Sequence, residues 1–271
     1  MKMNQRFLIV FDLDGTLLDD EKHIMPKTKD YILKLKEEGH VIAMASGRPP
    51  RAILPYYREL SLTSPIISMN GALVYSPDSS SDFVRSDCYF TRESIQAFLS
   101  HFKKGEIVNA FAESEKNIYY SGHDEGFNQM FDSHGMNLVY GPLEETLKED
   151  VYAFVFERKD GLEEKVNAIP LGSDDLFLRH WYDVKNVSEF GTTRMSKASG
   201  ILKLQDYYHI DRIHTIAFGD AENDTEMLSH AGVPFAMKNG NERLKAIAHN
   251  VTEEDNCHEG IYLTLKKFFE F

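Results

Sequence analysis

The sequence of 271 residues has few cysteines, no long apolar run and no surplus of basic residues. Its two cysteines, Cys88 and Cys257, lie far apart in the chain, and no secretory signal precedes them. We therefore expect buried or free thiols rather than a disulfide. No apolar run approaches the roughly 18 residues that a membrane span requires, and the N-terminal run is too short for a signal peptide. These absences predict a cytoplasmic protein that does not associate with membranes.

Acidic residues outnumber basic ones, with 43 Asp and Glu against 30 Lys and Arg, and the formal net charge is −13. Such a chain repels nucleic-acid phosphates, so we expect no nucleic-acid partner. A small anionic substrate would have to be met by individual lysines and arginines near its site. The hydrophobic fraction of 42% is that of a globular protein and excludes a mostly disordered chain. The sequence contains neither an internal repeat nor a dinucleotide-binding glycine pattern.

The most informative segment is an apolar run, 7–11, that is followed by Asp12, Asp14, Gly15 and Thr16. The run is short and strongly apolar, which predicts a buried strand. Alternate residues of a strand point to the same side, so the two aspartates could converge at its carboxyl end, where open α/β sheets bind ligands. Two adjacent carboxylates repel each other unless a cation or a shared proton relieves them. The alternative is a pair of ordinary turn or helix-capping aspartates.

Further polar residues follow other strand-like runs or begin a helix. Each alone is ordinary, because a turn, a solvated lysine or a helix cap would explain it. Their order along the chain and their placement at element ends make the signal specific. They are Ser46, Gly47 and Arg48 after the run 41–45, Lys197 at the start of a late helix, and Gly219, Asp220, Asn223 and Asp224 after the run 214–218.

Strand-like and helix-like stretches alternate at both ends of the chain, which predicts an α/β fold with a mostly parallel sheet and helices on both faces. The middle of the chain mixes strands, helices and many aromatic residues, and it predicts an inserted α+β domain whose aromatics form its core. We therefore expect a core domain of 1–82 and 188–271 and an insert of 83–187. Polar or glycine-containing stretches at 76–82 and 187–191 are the predicted hinges.

The chain resembles the haloacid dehalogenase superfamily and, within it, the Cof-type hydrolases with a type IIB cap. The resemblance covers about 1–82 and 188–271, and the insert has the position and length of the family's cap. It also includes the stretches 68–75 and 235–241. The four motifs that carry it are Asp12-x-Asp14-Gly15-Thr16, Ser46, Lys197 and Gly219-Asp220-x-x-Asn223-Asp224.

The resemblance implies a Rossmann-like core and a Mg²⁺-dependent phosphatase. Asp12 would be the nucleophile that forms an aspartyl-phosphate, and Asp14 would protonate the leaving alcohol and then activate water. Ser46 would hydrogen-bond a phosphoryl oxygen, and Lys197 would offset negative charge. The implied magnesium ligands are Asp12, Asp220 and the backbone carbonyl of Asp14, with Asp224 or Asn223 acting directly or through water.

The predicted substrate is a small phosphorylated metabolite, such as a sugar phosphate, a nucleotide or flavin-type phosphate, or a pyridoxal-type phosphate. A phosphomutase and a non-enzymatic phosphate-sensing protein on the same scaffold are the alternatives. The residues expected to bind the substrate are Thr16, Gly47, Arg48, Asn70, Gly71 and Asn223. Within the insert, the candidate contacts are Tyr119, Tyr120, His123, Arg179, His180 and Trp181, which sequence alone does not rank.

Overall fold

The computed structural model describes residues 5–181 and 184–270. The chain forms two compact units, which we call the core unit (Met1–Asp87 and Met195–Phe271) and the insert unit (Cys88–Arg194). These divisions fall a few residues after the predicted ones. None of the described helices has both the length and the apolar character needed to cross a bilayer.

A parallel sheet of four strands forms the centre of the core unit, in the order β13-β12-β1-β2. All four residues of β1 are buried, as the apolar run predicted. Three further short strands form a separate antiparallel sheet. The strands of the core unit are β1 (Leu8–Phe11), β2 (Val41–Met44), β3 (Ile66–Ser68), β4 (Leu73–Tyr75), β5 (Ser86–Asp87), β12 (Thr215–Gly219) and β13 (Val233–Ala236).

Helices cover both faces of the parallel sheet, as the alternation of elements predicted. The helices of the core unit are α1 (Pro26–Glu37), α2 (Pro50–Glu59), α7 (Lys197–Tyr208), α8 (Thr225–His230), α9 (Glu242–Ala248) and α10 (Gly260–Glu270). Alternate residues of β1 enter different hydrophobic clusters. Ile9 and Phe11 pack with residues of α1, α2 and α10, whereas Leu8 and Val10 pack with residues of α7, α8 and α9. This two-sided burial confirms the predicted α/β fold class.

The strand β3 borders the parallel sheet but belongs to the antiparallel one. β3 meets the end of β2 through one parallel bridge, Ala45 to Ile67, and otherwise pairs antiparallel with β4. A sharp turn at Asn70 and Gly71 lies between β3 and β4. It returns the chain at once, so β3 cannot continue along β2.

The insert unit contains a sheet of six strands in the order β10-β11-β9-β6-β7-β8, antiparallel except for the pair β7–β8. Its strands are β6 (Ile107–Glu113), β7 (Asn117–Tyr120), β8 (Asn137–Tyr140), β9 (Ala153–Arg158), β10 (Leu176–His180) and β11 (Val187–Thr192). Its helices are α3 (Arg92–Leu99), α4 (Glu125–Asn128), α5 (Leu143–Thr146) and α6 (Glu163–Asn167). This is the α+β character that the sequence predicted.

Two features of the insert differ from the predictions. The stretch 187–191, expected as a hinge, belongs to β11. Within this strand, a β-carbon at position 191 would lie 2.4 Å from the ring of Phe177, which explains the glycine there. β8 was not predicted, because it is an edge strand whose residues are largely exposed and show no apolar alternation.

Candidate active site

Three acidic side chains and one lysine meet beyond the carboxyl ends of β1 and β12. Asp12 follows β1 directly, and its amide donates to the carbonyl of Phe218 on the neighbouring strand (3.0 Å). Asp12, Asp220 and Asp224 each offer one carboxylate oxygen within 4.8 Å of the others. Lys197 Nζ lies 2.5 Å from Asp12 Oδ1 and 2.6 Å from Asp224 Oδ1. The motifs predicted from the sequence thus converge in space.

Helix α7 places Lys197 in this cluster. Ser196 caps the helix by accepting a hydrogen bond from the amide of Ser199, and the Ser199 hydroxyl accepts one from the Ser196 amide. This capping box fixes the first turn of the helix, of which Lys197 is the first residue. The lysine side chain is fully buried, so its ammonium has to be balanced by carboxylates.

The charges in the cluster shift one another's pKa values. Burial alone would lower the pKa of Lys197, but Asp12 and Asp224 outweigh it and raise the pKa above its ordinary value. Burial raises the pKa of Asp12, an effect that Lys197 opposes and the neighbouring carboxylates reinforce. Burial and the charge of Asp224 raise the pKa of Asp220 to about 7. The three carboxylates carry more negative charge than one ammonium can balance, so a further cation or proton would stabilise the cluster.

Asp224 is a positioning residue as well as a member of the cluster. Its Oδ2 accepts hydrogen bonds from the amides of Asp220 (3.0 Å) and Ala221 (3.1 Å), while Oδ1 accepts from Lys197. These bonds fix the loop that follows β12. Gly219 is required there, because a β-carbon would lie 2.6 Å from that of Asp224. Both oxygens of Asp224 are therefore already engaged within the protein.

Thr16 and Gly15, in the motif that follows β1, orient the side chain of Asp220. The hydroxyl of Thr16 donates to Asp220 Oδ1 (2.8 Å). Gly15 has a φ of +74°, and a β-carbon on it would lie 2.5 Å from Asp220 Oδ2. The side-chain amide of Asn239 donates from Nδ2 to the carbonyl of Gly15 (2.7 Å). Asn239 was not singled out as a site residue, although it lies in the stretch 235–241 that carries part of the family resemblance.

The carboxylate of Asp14 does not join the three-carboxylate cluster. Arg48 donates to it from Nε and Nη2, both at 2.6 Å, and Lys22 Nζ lies 2.8 Å from its Oδ1. Burial alone would raise the pKa of Asp14, but the hydrogen bonds from Arg48 and Lys22 outweigh it and lower the pKa to about 2. The convergence of Asp12 and Asp14 stays a prediction, and the charge of Asp14 contributes to raising the pKa of Asp220 in the cluster.

Lys22 was missed by the sequence analysis. It lies eight residues after Asp14 in a loop, and no local pattern distinguishes it from a solvated lysine. Its φ is +66°, and its carbonyl accepts a hydrogen bond from the hydroxyl of Tyr56 (3.1 Å). The guanidinium of Arg48 lies 5.7 Å from the centroid of the Tyr56 ring. Tyr56 therefore contacts both basic residues that hold Asp14.

Ser46 and Arg48, which follow β2, are linked by hydrogen bonds to the turn after β3. The amide of Asn70 donates to the carbonyl of Ser46 (3.0 Å), and Ser46 Oγ accepts from the amide of Arg48 (3.1 Å). The Ser46 hydroxyl hydrogen remains a donor. Asn223 Nδ2 donates to Asn70 Oδ1 (3.0 Å), and the Asn70 side chain lies against Gly47. The structure thus brings together these residues from three separate stretches of the sequence.

The turn 69–71 has a left-handed backbone throughout. The φ angles of Met69, Asn70 and Gly71 are +50°, +53° and +92°. A β-carbon on Gly71 would lie 2.2 Å from the carbonyl oxygen of Ser196, the residue that caps α7. Backbone of this kind is costly for non-glycine residues and concentrates at functional sites. The turn places Asn70 beside Ser46 and packs against the start of the helix that carries Lys197.

The fold and this cluster are those of a haloacid dehalogenase-type hydrolase. The family model of haloacid dehalogenase-like hydrolases matches residues 9–265, and the chain belongs to that family, as a Cof-type phosphoric monoester hydrolase. It is similar to the 5-amino-6-(5-phospho-D-ribitylamino)uracil phosphatase YitU of Bacillus subtilis, with 36% identity over 268 residues and 97% of each chain covered.

Two solved structures show the same fold. One is a subclass IIB sugar phosphatase of the superfamily, with a TM-score of 0.78, 25% identity and coverage of 97% of this chain and 98% of that one. The other is a haloacid dehalogenase-like hydrolase from Bacteroides thetaiotaomicron, with a TM-score of 0.81, 22% identity and coverage of 98% and 100%. The second likeness concerns the fold alone.

Proposed function

We propose that the protein is a Mg²⁺-dependent phosphatase that hydrolyses a small organic phosphate through an aspartyl-phosphate on Asp12. The observation that supports this most strongly is the buried cluster in which Asp12, Asp220 and Asp224 face a single ammonium, Lys197. A nucleophilic carboxylate, a fixed positive charge and an acidic oxygen-donor set are what phosphoryl transfer through an aspartyl ester requires.

The residues present fit magnesium. Mg²⁺ prefers hard oxygen ligands and is held by few carboxylates. Asp12, Asp220 and the backbone carbonyl of Asp14 would hold it, and Asp224, whose two oxygens are engaged, would act by fixing Asp220 and Lys197. The bound ion would supply positive charge for the transferred phosphoryl group and its nucleophile.

In the proposed reaction, a carboxylate oxygen of Asp12 attacks phosphorus and the leaving alcohol departs. Lys197 keeps Asp12 ionised and oriented, since its ammonium contacts the carboxylate directly. The hydroxyl of Ser46 and the side chain of Asn70 would donate to the phosphoryl oxygens, together with the backbone at Gly47. Charge on those oxygens grows along the reaction path, so fixed donors stabilise the transition state.

Asp14 would transfer protons to the leaving group and from the attacking water. In the observed arrangement it is a carboxylate held by Arg48 and Lys22, which suits it to accept a proton from water in the second step. Proton donation in the first step requires these two contacts to loosen. An anionic substrate competes for the same basic side chains, and we propose that Arg48 exchanges from Asp14 to the phosphate when substrate binds.

We propose that the insert, predicted over 83–187, selects the substrate, because the cluster around Asp12 consists of core-unit residues alone. YitU acts on a phosphorylated ribitylamino-uracil and a structural relative is a sugar phosphatase, which supports a small phosphorylated metabolite as the substrate. Exchange of the insert with that of a relative should change the order of kcat/KM values among phosphates and leave the requirement for Asp12 intact.

The test is a phosphate-release screen over many metabolite phosphates, with magnesium and with excess chelator. We expect release of inorganic phosphate from some of them, only with the metal present, and none from the Asp12→Asn variant. An isomeric sugar phosphate in place of inorganic phosphate would identify a phosphomutase instead. Full turnover in excess chelator would remove magnesium from the proposal.

A further inference from the structure

The loop that follows β13, residues 237–241, lies against the loop that carries Asp220. We call it the β13 loop. The backbone amide of Asn241 donates to the carbonyl of Asp220 (3.1 Å). A β-carbon on Gly240 would lie 3.1 Å from Asp220 Cα and 2.9 Å from the carbonyl oxygen of Met237. The backbones of the two loops are therefore in direct contact.

The β13 loop is itself fixed on both sides of Asn239. The amide of Gly240 donates to the carbonyl of Met237 (2.8 Å), which closes a tight turn around Asn239. The side chain of Asn241 caps α9 by accepting a hydrogen bond from the amide of Leu244 (2.8 Å). The backbone position of Asn239 is thus determined by the turn before it and by the helix cap after it.

From this loop, the side chain of Asn239 reaches the chain that follows β1. Its Nδ2 donates to the carbonyl of Gly15 (2.7 Å). The peptide group of this carbonyl also contains the amide of Thr16, whose hydroxyl donates to Asp220 Oδ1 (2.8 Å). The bond from Asn239 therefore joins the loop after β1 to the β13 loop, which in turn contacts the loop after β12.

The proposed magnesium ligands belong to two of the segments that this bond joins. Asp12 and the backbone carbonyl of Asp14 directly precede Gly15, whereas Asp220 follows β12. Magnesium demands near-ideal octahedral geometry, so ligands from different segments have to keep one arrangement. Residues that orient such ligands without touching the ion typically change metal affinity by about 10–100-fold.

We propose that Asn239 is a positioning residue that fixes the loop after β1 relative to Asp220 and thereby strengthens magnesium binding. The statement about the ion rests on the proposed function, whereas the fixing of the loop does not. Asn239 itself is exposed, and its partner is a backbone carbonyl. Its replacement therefore removes one hydrogen bond without leaving a space in the hydrophobic core.

Hydrogen exchange of the full-length protein in excess chelator, followed by mass spectrometry, tests the fixing of the loop. It reports how often backbone hydrogen bonds open. The amides to be followed are those of the loop after β1, which donate to the carbonyls of Leu13 and Asp12; they belong to Thr16, Leu17 and Leu18. We expect faster exchange in Asn239→Ala than in the parent. Asn239→Asp keeps the size of the side chain but has no N–H to donate, and it should show the same increase.

The matched control is Asn250→Ala. Asn250 is likewise exposed and donates from Nδ2 to a backbone carbonyl, that of Pro234 (3.1 Å). Its loss should leave the exchange of the three amides as it is in the parent. Parental exchange in Asn239→Ala, or an equal increase in Asn250→Ala, would overturn the proposal.

Calorimetric titration with magnesium tests the consequence for the ion. Asn239→Ala should bind magnesium about tenfold more weakly than the parent, and Asn250→Ala should bind it as the parent does. Equal affinity of Asn239→Ala and the parent would overturn the positioning role. A parent protein that binds no magnesium would instead overturn the proposed function, and the exchange comparison would still decide whether Asn239 fixes the loop.

Discussion

Replacement of Lys197 by methionine should unmask the repulsion within the acidic cluster. Methionine approximates the length of the lysine stem but carries no charge. The ammonium that it removes lies 2.5 Å from Asp12 and 2.6 Å from Asp224, and the side chains are 0–8% exposed. Breaking a buried ion pair by removing one partner costs about 3–5 kcal/mol of unfolding free energy. For a chain of this size that corresponds to a fall in melting temperature of roughly 6–20 °C.

The loss should depend on pH in a defined direction. Without Lys197, the pKa of Asp12 rises further above its ordinary value, because burial and Asp224 both raise it. A carboxyl group whose pKa is higher in the folded than in the unfolded protein destabilises the fold as pH rises through the folded value. The Lys197→Met variant should therefore lose more stability at pH 8 than at pH 5.

Thermal unfolding followed by circular dichroism, with chelator present, measures this loss. The matched control is Lys29→Met, which removes an exposed ion pair with Glu59 (3.0 Å) and should cost about 0–1 kcal/mol. Addition of Asp224→Asn to Lys197→Met should restore part of the loss, because it removes one of the two stranded carboxylates. A loss no larger than that of the control, or one that is the same at both pH values, would refute the reasoning.

Four further results are expected. Asp12→Asn should abolish phosphate release with the circular dichroism spectrum unchanged, and a rate within about tenfold of the parent would contradict its role as nucleophile. Asp14→Asn should slow alkyl phosphate hydrolysis by about 10²–10⁴-fold yet spare p-nitrophenyl phosphate, whose leaving group needs no proton; equal losses would exclude proton transfer. Magnesium affinity, measured by calorimetry, should be higher at pH 8 than at pH 6. Asp220 has a pKa raised to about 7 and must lose its proton to bind the ion. Equal affinities at the two pH values would show that Asp220 is not a ligand. Gly71→Ala should lower both kcat and melting temperature more than Gly39→Ala does. Both glycines have a positive φ near +90°, but only a β-carbon at position 71 would clash with backbone, at the cap of α7. Equal effects of the two substitutions would mean that this close approach is not important.

Local patterns determined the elements and their order. The apolar composition of the run 7–11 predicted a buried strand, and β1 is buried. The alternation of strands and helices was enough to predict the fold class. The motif residues were found because each follows a strand or begins a helix. Such signals depend on neighbours a few positions away in the chain, so a single sequence contains them.

Tertiary structure decided the partners of those residues. Asp14 accepts hydrogen bonds from Arg48 and Lys22, and its place two residues after Asp12 in the chain indicates neither partner. The bond between Asn223 and Asn70 joins positions 153 residues apart. No local pattern marks such a pair, since its geometry depends on how several elements pack together.

The chemistry of the site was therefore determined by residue type, and its electrostatics by packing. The family resemblance of the sequence indicated four carboxylates, Asp12, Asp14, Asp220 and Asp224, and one lysine, Lys197, for phosphoryl transfer. Burial at the ends of β1 and β12 then raised the pKa of Asp220 to about 7, whereas the contact with Arg48 and Lys22 contributes to lowering that of Asp14 to about 2. The carboxyl groups of Asp220 and Asp14 have pKa shifts of opposite sign, because solvent exclusion and nearby charge depend on distances through space.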